Sequence, residues 1–370
     1  MIADGEPEDV AARQAPSAHA RHTWHALRAA RGHLAKSVLR LLGYALFALL
    51  VLKLIPGLTQ ALRSLQHVSW QWLAGAIAVE TLSEFGFVVS WRAILDPEDL
   101  LGRDSRGGRL ARRVAWAQLG GGMLVPGGSL ASIGVGSWIL HRLGMPTSRI
   151  AERQFNLSFL NTAVDALALI LFGLGLATGV FAGAGRLSLT LLPAAIGAIG
   201  LAAVLLIARR ASNYARRLEK TRPRAARAIT ALADAVDDTQ RLLFRRGGRR
   251  TVLGAIAYLG FDTLVLYAAF YAVHAHPVPG YAVVVMAYII GALGGSLPLP
   301  ASAGAIGGIT AMLIVYGVNH SAAVAAVILY EAIGLLVPLV GGGIAYLFLR
   351  QQFGAMTDEA ASVEVGVRAA

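Results

Sequence analysis

The chain has 370 residues, 56% hydrophobic and 15% charged, with 42 glycines and a mean hydropathy of +0.60, values of a polytopic membrane protein rather than a soluble domain. Cysteine is absent, which excludes disulfides, thiolate catalysis and cysteine-ligated metals. The net charge of +12 gathers in a few arginine-rich loops between apolar runs, without an aromatic stacking platform or binding motif, so membrane orientation accounts for it and no nucleic-acid partner is expected.

Residues 1–36 are polar and rich in Ala, Arg and His, and read as a cytoplasmic tail. They contain no short apolar run ending at a small-residue cleavage site, so no cleaved signal peptide is expected. His22 and His25 share a helical face but have no third ligand nearby; neither a metal nor a cofactor is expected. Residues 37–349 read as the membrane domain and 350–370 as a short polar tail, which leaves no room for a soluble catalytic domain.

Val38 to Ile55 is the first expected span, roughly 18 residues that approach the ~30 Å hydrocarbon core at ~1.5 Å each. The second runs from Trp70 to Trp91, with tryptophans at both ends as an aromatic belt requires. It carries Glu80 and Glu84, four apart and therefore on one face. Two readings fit a carboxyl pair at that depth: a functional site, or a protonated pair that bonds neighbouring helices. Arg92, Arg103, Arg106, Arg109, Arg112 and Arg113 then mark the cytoplasmic side.

Val114 to Leu140 follows, and His141, Arg142, Arg149 and Arg153 are basic again, so both flanks belong on one side. Its centre, Pro126, Gly127 and Gly128, breaks the helix, and each arm of about a dozen residues spans only ~18 Å. A re-entrant helical hairpin is expected. Gln154 to Val180 spans outward with Asn161 and Asp165, again four apart, and Leu189 to Ile207 returns. The basic loop 209–250 is expected to be cytoplasmic; Ile229, Leu232, Val236 and Leu243 have helical spacing and suggest an amphipathic helix on the anionic leaflet.

Val252 to His274 spans outward around Asp262. Tyr281 to Leu297 goes in, Pro298 and Pro300 break it, and Ala303 to Val318 comes out, with Ser302, Gly304 and Thr310 beyond the break. Backbone freed at such a break is tolerated in a bilayer only where protein or a water-filled cavity satisfies it. Ala322 to Leu349 returns to the cytoplasm carrying Tyr330 and Glu331.

The sequence also repeats. At a shift of 173 residues, the distance from Ile133 to Ile306, Gly134 meets Gly307, Leu140 meets Leu313, Gly144 meets Gly317 and Ser148 meets Ser321. The halves cover about 70–180 and 252–349, and the odd number of spans between the hairpins inverts one half relative to the other. The expected fold is an all-α polytopic membrane protein of about six full spans plus two re-entrant hairpins in inverted-topology repeats.

Residues 70–349 resemble the lysylphosphatidylglycerol synthase transmembrane family, the flippase-like domain also found in the multiple peptide resistance factor and in membrane proteins of hopanoid gene clusters. The resemblance is carried by AGAIGGITAMLIVYGVNHSAAVAAVILYEAIGLLVPLVGGGIAYLFL from Ala303 to Leu349, and by VPGG followed by LGMPTSRIAE, with Asp165 where that half usually has an aspartate. The chain departs from the pattern at several positions. Thr310 and Asn161 stand where the family has glutamate, Glu331 after Tyr330 stands where it has arginine, and no Gly-Glu pair follows the first proline.

The resemblance implies translocation of a lipid or lipid-linked molecule between leaflets of a bacterial-type inner membrane, with both termini cytoplasmic. Glu80, Glu84, Asn161, Asp165, Asp262, Ser302, Thr310, Tyr330 and Glu331 are the candidate head-group or proton-coupling residues. The competing reading is a scaffold that docks a lipid-modifying enzyme through loop 209–250 without transport. An enzyme is not expected, since His-Glu-x-x-His, Gly-x-Ser-x-Gly and the P-loop are all missing.

Overall fold

In a computed structural model, Trp70–Leu95 forms helix α1, whose buried face reads Ala76, Glu80, Ser83, Glu84, Phe87, Val88, Trp91, Ile94 and Leu95. The spacing is helical, but the polar residues lie inside and Ile77, Leu82, Phe85 and Val89 lie outside. A lipid solvent demands that inversion, because the outer face gains nothing from carrying polar groups. The structure describes residues 67–96, 108–124, 129–183, 187–218, 222, 230, 233–234, 236–237, 248–293 and 303–369. The chain divides into Met1–Thr59 and Gln60–Ala370, and every described residue belongs to the second unit. The expected tail, the span from Val38 to Ile55, Arg103, Arg106 and most of loop 209–250 lie outside the described residues. Val236 is described and is buried within the protein.

The other described helices are α2 (Arg109–Leu124), α3 (Ser129–Arg142), α4 (Thr147–Ala177), α5 (Leu187–Leu218), α6 (Gly248–Ala272), α7 (Tyr281–Ala292), α8 (Ala303–Val315) and α9 (His320–Ala369). No strand occurs among the described residues. Among the described residues, five helices, α1, α4, α5, α6 and α9, are long and apolar enough to cross a membrane. Helix α9 continues past Phe353 to Ala369 and α5 past Ile207 to Leu218.

Helices α1 and α6 cross antiparallel along their whole length. Ser69 N donates to Ala272 O at 3.0 Å, Ser83 Oγ to Tyr258 O at 2.8 Å and Ser90 Oγ to Thr251 O at 2.9 Å, one series rising as the other falls. The axes come this close because Gly86 faces Gly254: a Cβ on Gly86 would lie 2.7 Å from the Gly254 carbonyl oxygen. Small residues at the crossing supply the van der Waals contact that membrane helices need in place of a hydrophobic drive.

Around this pair sit two sets of short helices. In α2 and α3, Ser132 Oγ donates to Gln118 O at 2.9 Å and Gly121 faces Val135; in α7 and α8, Gly291 lies against Gly308 and Ile309. The α2/α3 pair belongs to the end where α1 finishes, with Leu95, Val114, Leu140, Met145, Ile150 and Leu349 in one core. At the other end, Tyr281 at the start of α7 packs on Phe172 and Tyr267, and Tyr316 just after α8 donates to Leu189 O.

The exits from α3 and α8 match. Gly144 has φ +86° and Gly317 φ +89°, the left-handed conformation that lacks a penalty only for glycine. Gly144 N donates to His141 O and Met145 N to Leu140 O; Gly317 N donates to Ile314 O and Val318 N to Leu313 O. Each pair of bonds satisfies the last free carbonyls of its helix. Helix α4 then starts at Thr147 and α9 at His320, in the register of the sequence repeat.

Candidate functional site

Asp262, on α6 at the α1 crossing, is the centre of the buried polar groups. Tyr288 of α7 donates its hydroxyl to Oδ2, and Tyr330 of α9 donates to Oδ1 at 2.9 Å, so each carboxylate oxygen has a phenolic donor. Glu80 and Glu84 come from α1, one turn apart, and are only 4% and 3% exposed. On each of them Oε2 is buried without a hydrogen-bond partner among the described residues. An unpaired carboxyl oxygen away from water is costly, so the pair detracts from the stability of the fold.

The remaining acids close in from other helices. Asp262, Glu84 and Glu331 all act electrostatically on Glu80, and Asp262 acts on Asp165 from across the α4–α6 contact. Gly334 stands beside Glu80; a Cβ there would sit 3.7 Å from Oε1. Tyr258 is within electrostatic reach of Glu80, Glu84, Asp165 and Asp262 together. Helices α1, α4, α6, α7 and α9 thus each contribute a side chain to one cluster. Among the described residues, no three His, Asp or Glu side chains are arranged to hold a metal ion.

Of the sequence candidates, the structure brings together Glu80, Glu84, Asp165, Asp262, Tyr330 and Glu331. Asn161, half-buried one turn before Asp165, and Thr310, half-buried on α8, make no hydrogen bond to the cluster among the described residues. Gly304 is buried in the first turn of α8. Ser302 and the expected breaks Pro126, Gly127, Gly128, Pro298 and Pro300 lie outside the described residues.

Two participants escaped the sequence reading. Tyr258 lies four residues before Asp262 on α6, and that helical spacing is the signal that identifies it. Tyr288 carries only a generic signal, a phenol in an apolar helix whose hydroxyl needs a partner once buried.

A second buried network was also missed. Trp91 Nε1 donates to Gln118 Oε1 at 2.8 Å, Gln154 Nε2 donates to the same oxygen at 2.9 Å, and Gln118 Nε2 returns a bond to Gln154 Oε1 at 3.3 Å. It ties α1, α2 and α4 together, while Arg153 caps the end of α1 through Leu95 O at 2.7 Å.

Fold and cluster together define an all-α, multi-pass membrane protein that turns carboxyl groups inward and apolar side chains outward. Within that class, the family model described as "Lysylphosphatidylglycerol synthase TM region" matches residues 40–342, and the chain belongs to this family. Membership implies a membrane lipid-related function. No curated protein matches the chain.

Proposed function

We propose that the protein translocates a lipid or lipid-linked molecule between bilayer leaflets and carries out no covalent chemistry. The observation that carries this reading is the acid and tyrosine cluster at the α1–α6 crossing, with two buried carboxyl oxygens left unpartnered. A polar head group crossing hydrocarbon needs partners at each depth, and unpartnered acceptors supply them for a donor-rich group.

The short helix pairs are read as re-entrant hairpins in an inverted repeat. At ~1.5 Å per residue, helices of 16 and 14 residues reach about 24 and 21 Å, and those of 12 and 13 about 18 and 20 Å, all short of the ~30 Å core. Antiparallel crossing of the equivalent helices α1 and α6 supports the inversion, as do the matching turns at Gly144 and Gly317. The arginines beside α1, α2 and α4 support reading that end, with both chain termini, as cytoplasmic in a bacterial-type cell membrane. The α2/α3 pair then opens inward and the α7/α8 pair outward, with the acids between them.

The test is leaflet exchange of fluorescent lipids in reconstituted vesicles, comparing the native chain with a Glu80→Gln, Glu84→Gln double variant. The variant is expected to exchange about tenfold more slowly or worse, ~1.4 kcal/mol on the barrier, with its melting temperature retained. Native exchange no faster than in protein-free vesicles would overturn the reading. In that event, loss of a co-purifying lipid-modifying enzyme on deletion of residues 219–247 favours the scaffold.

A further inference from the structure

Near its Trp70 end the α1–α6 pair opens into a groove of about 330 Å³, lined by Trp72, Gly75 and Val79 from α1 and by Leu264, Tyr267 and Tyr271 from α6. Its wall is made of rings locked to one another. Trp72 stacks on Tyr271 with centroids 4.6 Å apart, and Tyr267 sets its edge against Tyr271 at 5.3 Å and against Tyr281 of α7 at 5.5 Å. The Tyr267 and Tyr271 hydroxyls meet at 3.0 Å. Few rotamers are open to rings held this way, so the groove is already shaped before anything enters it.

Gly75 lines the groove and leaves it open. A glycine inside a helix costs about 1 kcal/mol relative to alanine, and Gly86 on the same helix is offset by close packing on Gly254. Gly75 has no such return: a Cβ there meets nothing within 4 Å. Open space surrounds the Cβ position of this groove-lining residue.

Position and length narrow the occupant. Trp70 and Trp72 are 73% and 45% exposed, on a helix that crosses the membrane, so the medium facing them is lipid with its interface at this aromatic end. From Trp72 to Val79 the groove runs about 10 Å at ~1.5 Å per residue, most of the ~15 Å hydrocarbon depth of one leaflet. Its volume is at the low end of the ~300–1,000 Å³ of ligand sites, suited to one extended chain and too small for a head group with two.

We propose that this groove is a lipid-binding site that holds one acyl chain of a phospholipid from the leaflet at the Trp70 end, with the one proton that the bonded Tyr267–Tyr271 hydroxyl pair leaves free donating to an ester or phosphate oxygen. In the orientation proposed above this is the outer leaflet. The binding claim does not depend on transport, and its test reads binding alone.

The full chain, in nanodiscs of phosphatidylglycerol and phosphatidylethanolamine, is given a trace of phosphatidylglycerol with a photoactivatable diazirine on one acyl chain, illuminated, and mapped by peptide mass spectrometry. Adducts on residues 72–79 and 264–271 are expected to exceed those on the lipid-facing Leu192, Ile196 and Ile199 of α5 by about fivefold, the ratio for roughly 1 kcal/mol of preference. Gly75→Leu, which fills the groove where nothing stands in its way, is expected to bring labelling down to the α5 level at unchanged melting temperature. Tyr267→Phe with Tyr271→Phe keeps the shape and is expected to lower labelling by a smaller amount. Even labelling of all lipid-facing helices, or excess labelling that survives Gly75→Leu, would overturn the site whether or not the protein moves lipid.

Discussion

The two short-helix pairs solve one packing problem with opposite assignments of bulk. Gln118 in α2 and Gly291 in α7 are equivalent in the repeat, as are Gly136 in α3 and Ile309 in α8. In the first pair the large side chain sits on α2 and the glycine opposite makes room for it; a Cβ on Gly136 would collide with the Gln118 amide. In the second pair the glycine sits on α7, and a Cβ there would come within 2.4 Å of the Ile309 backbone. The first arrangement places an amide where it also bonds Trp91 and Gln154, so that pair is tied to its neighbours by a satisfied network. The second closes by backbone contact and leaves the nearby polar groups, Tyr288 and Tyr330, to Asp262. A satisfied network fixes geometry, while a cluster with unpaired oxygens carries an unmet hydrogen-bonding demand.

The most damaging way to break this comparison is Gly291→Leu. The new side chain enters the backbone of α8, which has no flexible end to yield, so the cost is expected to exceed the ~1–3 kcal/mol usual for overpacking. Loss of a monodisperse peak in size-exclusion chromatography checks it. Gly134→Leu, where a Cβ meets nothing within 4 Å, is the control expected to remain folded.

Next in size is Gln118→Leu. It strands the Trp91 N–H and the Gln154 amide, each worth about 1–3 kcal/mol when buried without a partner, so a total of about 2–6 kcal/mol is expected as a drop in thermal midpoint. Adding Gln154→Leu removes one of the stranded groups and is expected to recover part of that loss. Simple addition of the two losses would show that the amides do not act as a unit.

Tyr288→Phe and Tyr330→Phe each remove one donor from Asp262. Interhelical hydrogen bonds in membranes average about 0.6 kcal/mol with a maximum near 1.7, so each variant should lose an amount in that range, with the two losses coupled through the shared carboxylate. Thermal midpoints of both singles and the double give the coupling directly. A coupling of zero would separate the tyrosines into independent contacts.

Much of this architecture was legible in the chain because lipid simplifies the code. Apolar runs long enough to cross marked α1, α4, α5, α6 and α9, and the left-handed turns at Gly144 and Gly317 coincide with glycines matched in the repeat. The acids were legible too, since a carboxyl group in a span is conspicuous, and Glu80, Glu84, Asp165, Asp262 and Glu331 do share one region. What stayed hidden was partnership. Nothing local to Tyr288 announces Asp262, 26 positions earlier on another helix, and Gln118 and Gln154 read as ordinary polar residues until α1 brings Trp91 between them. Helix period fixes which residues share a face, but which faces meet is decided by crossings such as Gly86 on Gly254, where the informative residue has no side chain at all.

The smallest effect belongs to that crossing. Ser83 Oγ and Ser90 Oγ donate to Tyr258 O and Thr251 O across the α1–α6 interface, and both acceptors are carbonyls within a helix, so removing either hydroxyl strands no donor. Ser83→Ala is therefore expected to cost only about 0.6 kcal/mol, close to the limit of a thermal-shift measurement. Ser83→Ala with Ser90→Ala should remain nearly additive, since the sites are two helical turns apart and share no partner. A loss of several kcal/mol from the pair would mean that hydroxyl bonds, rather than the glycine contact between them, hold the two central helices in register, and the small-residue account of the antiparallel crossing would have to be given up.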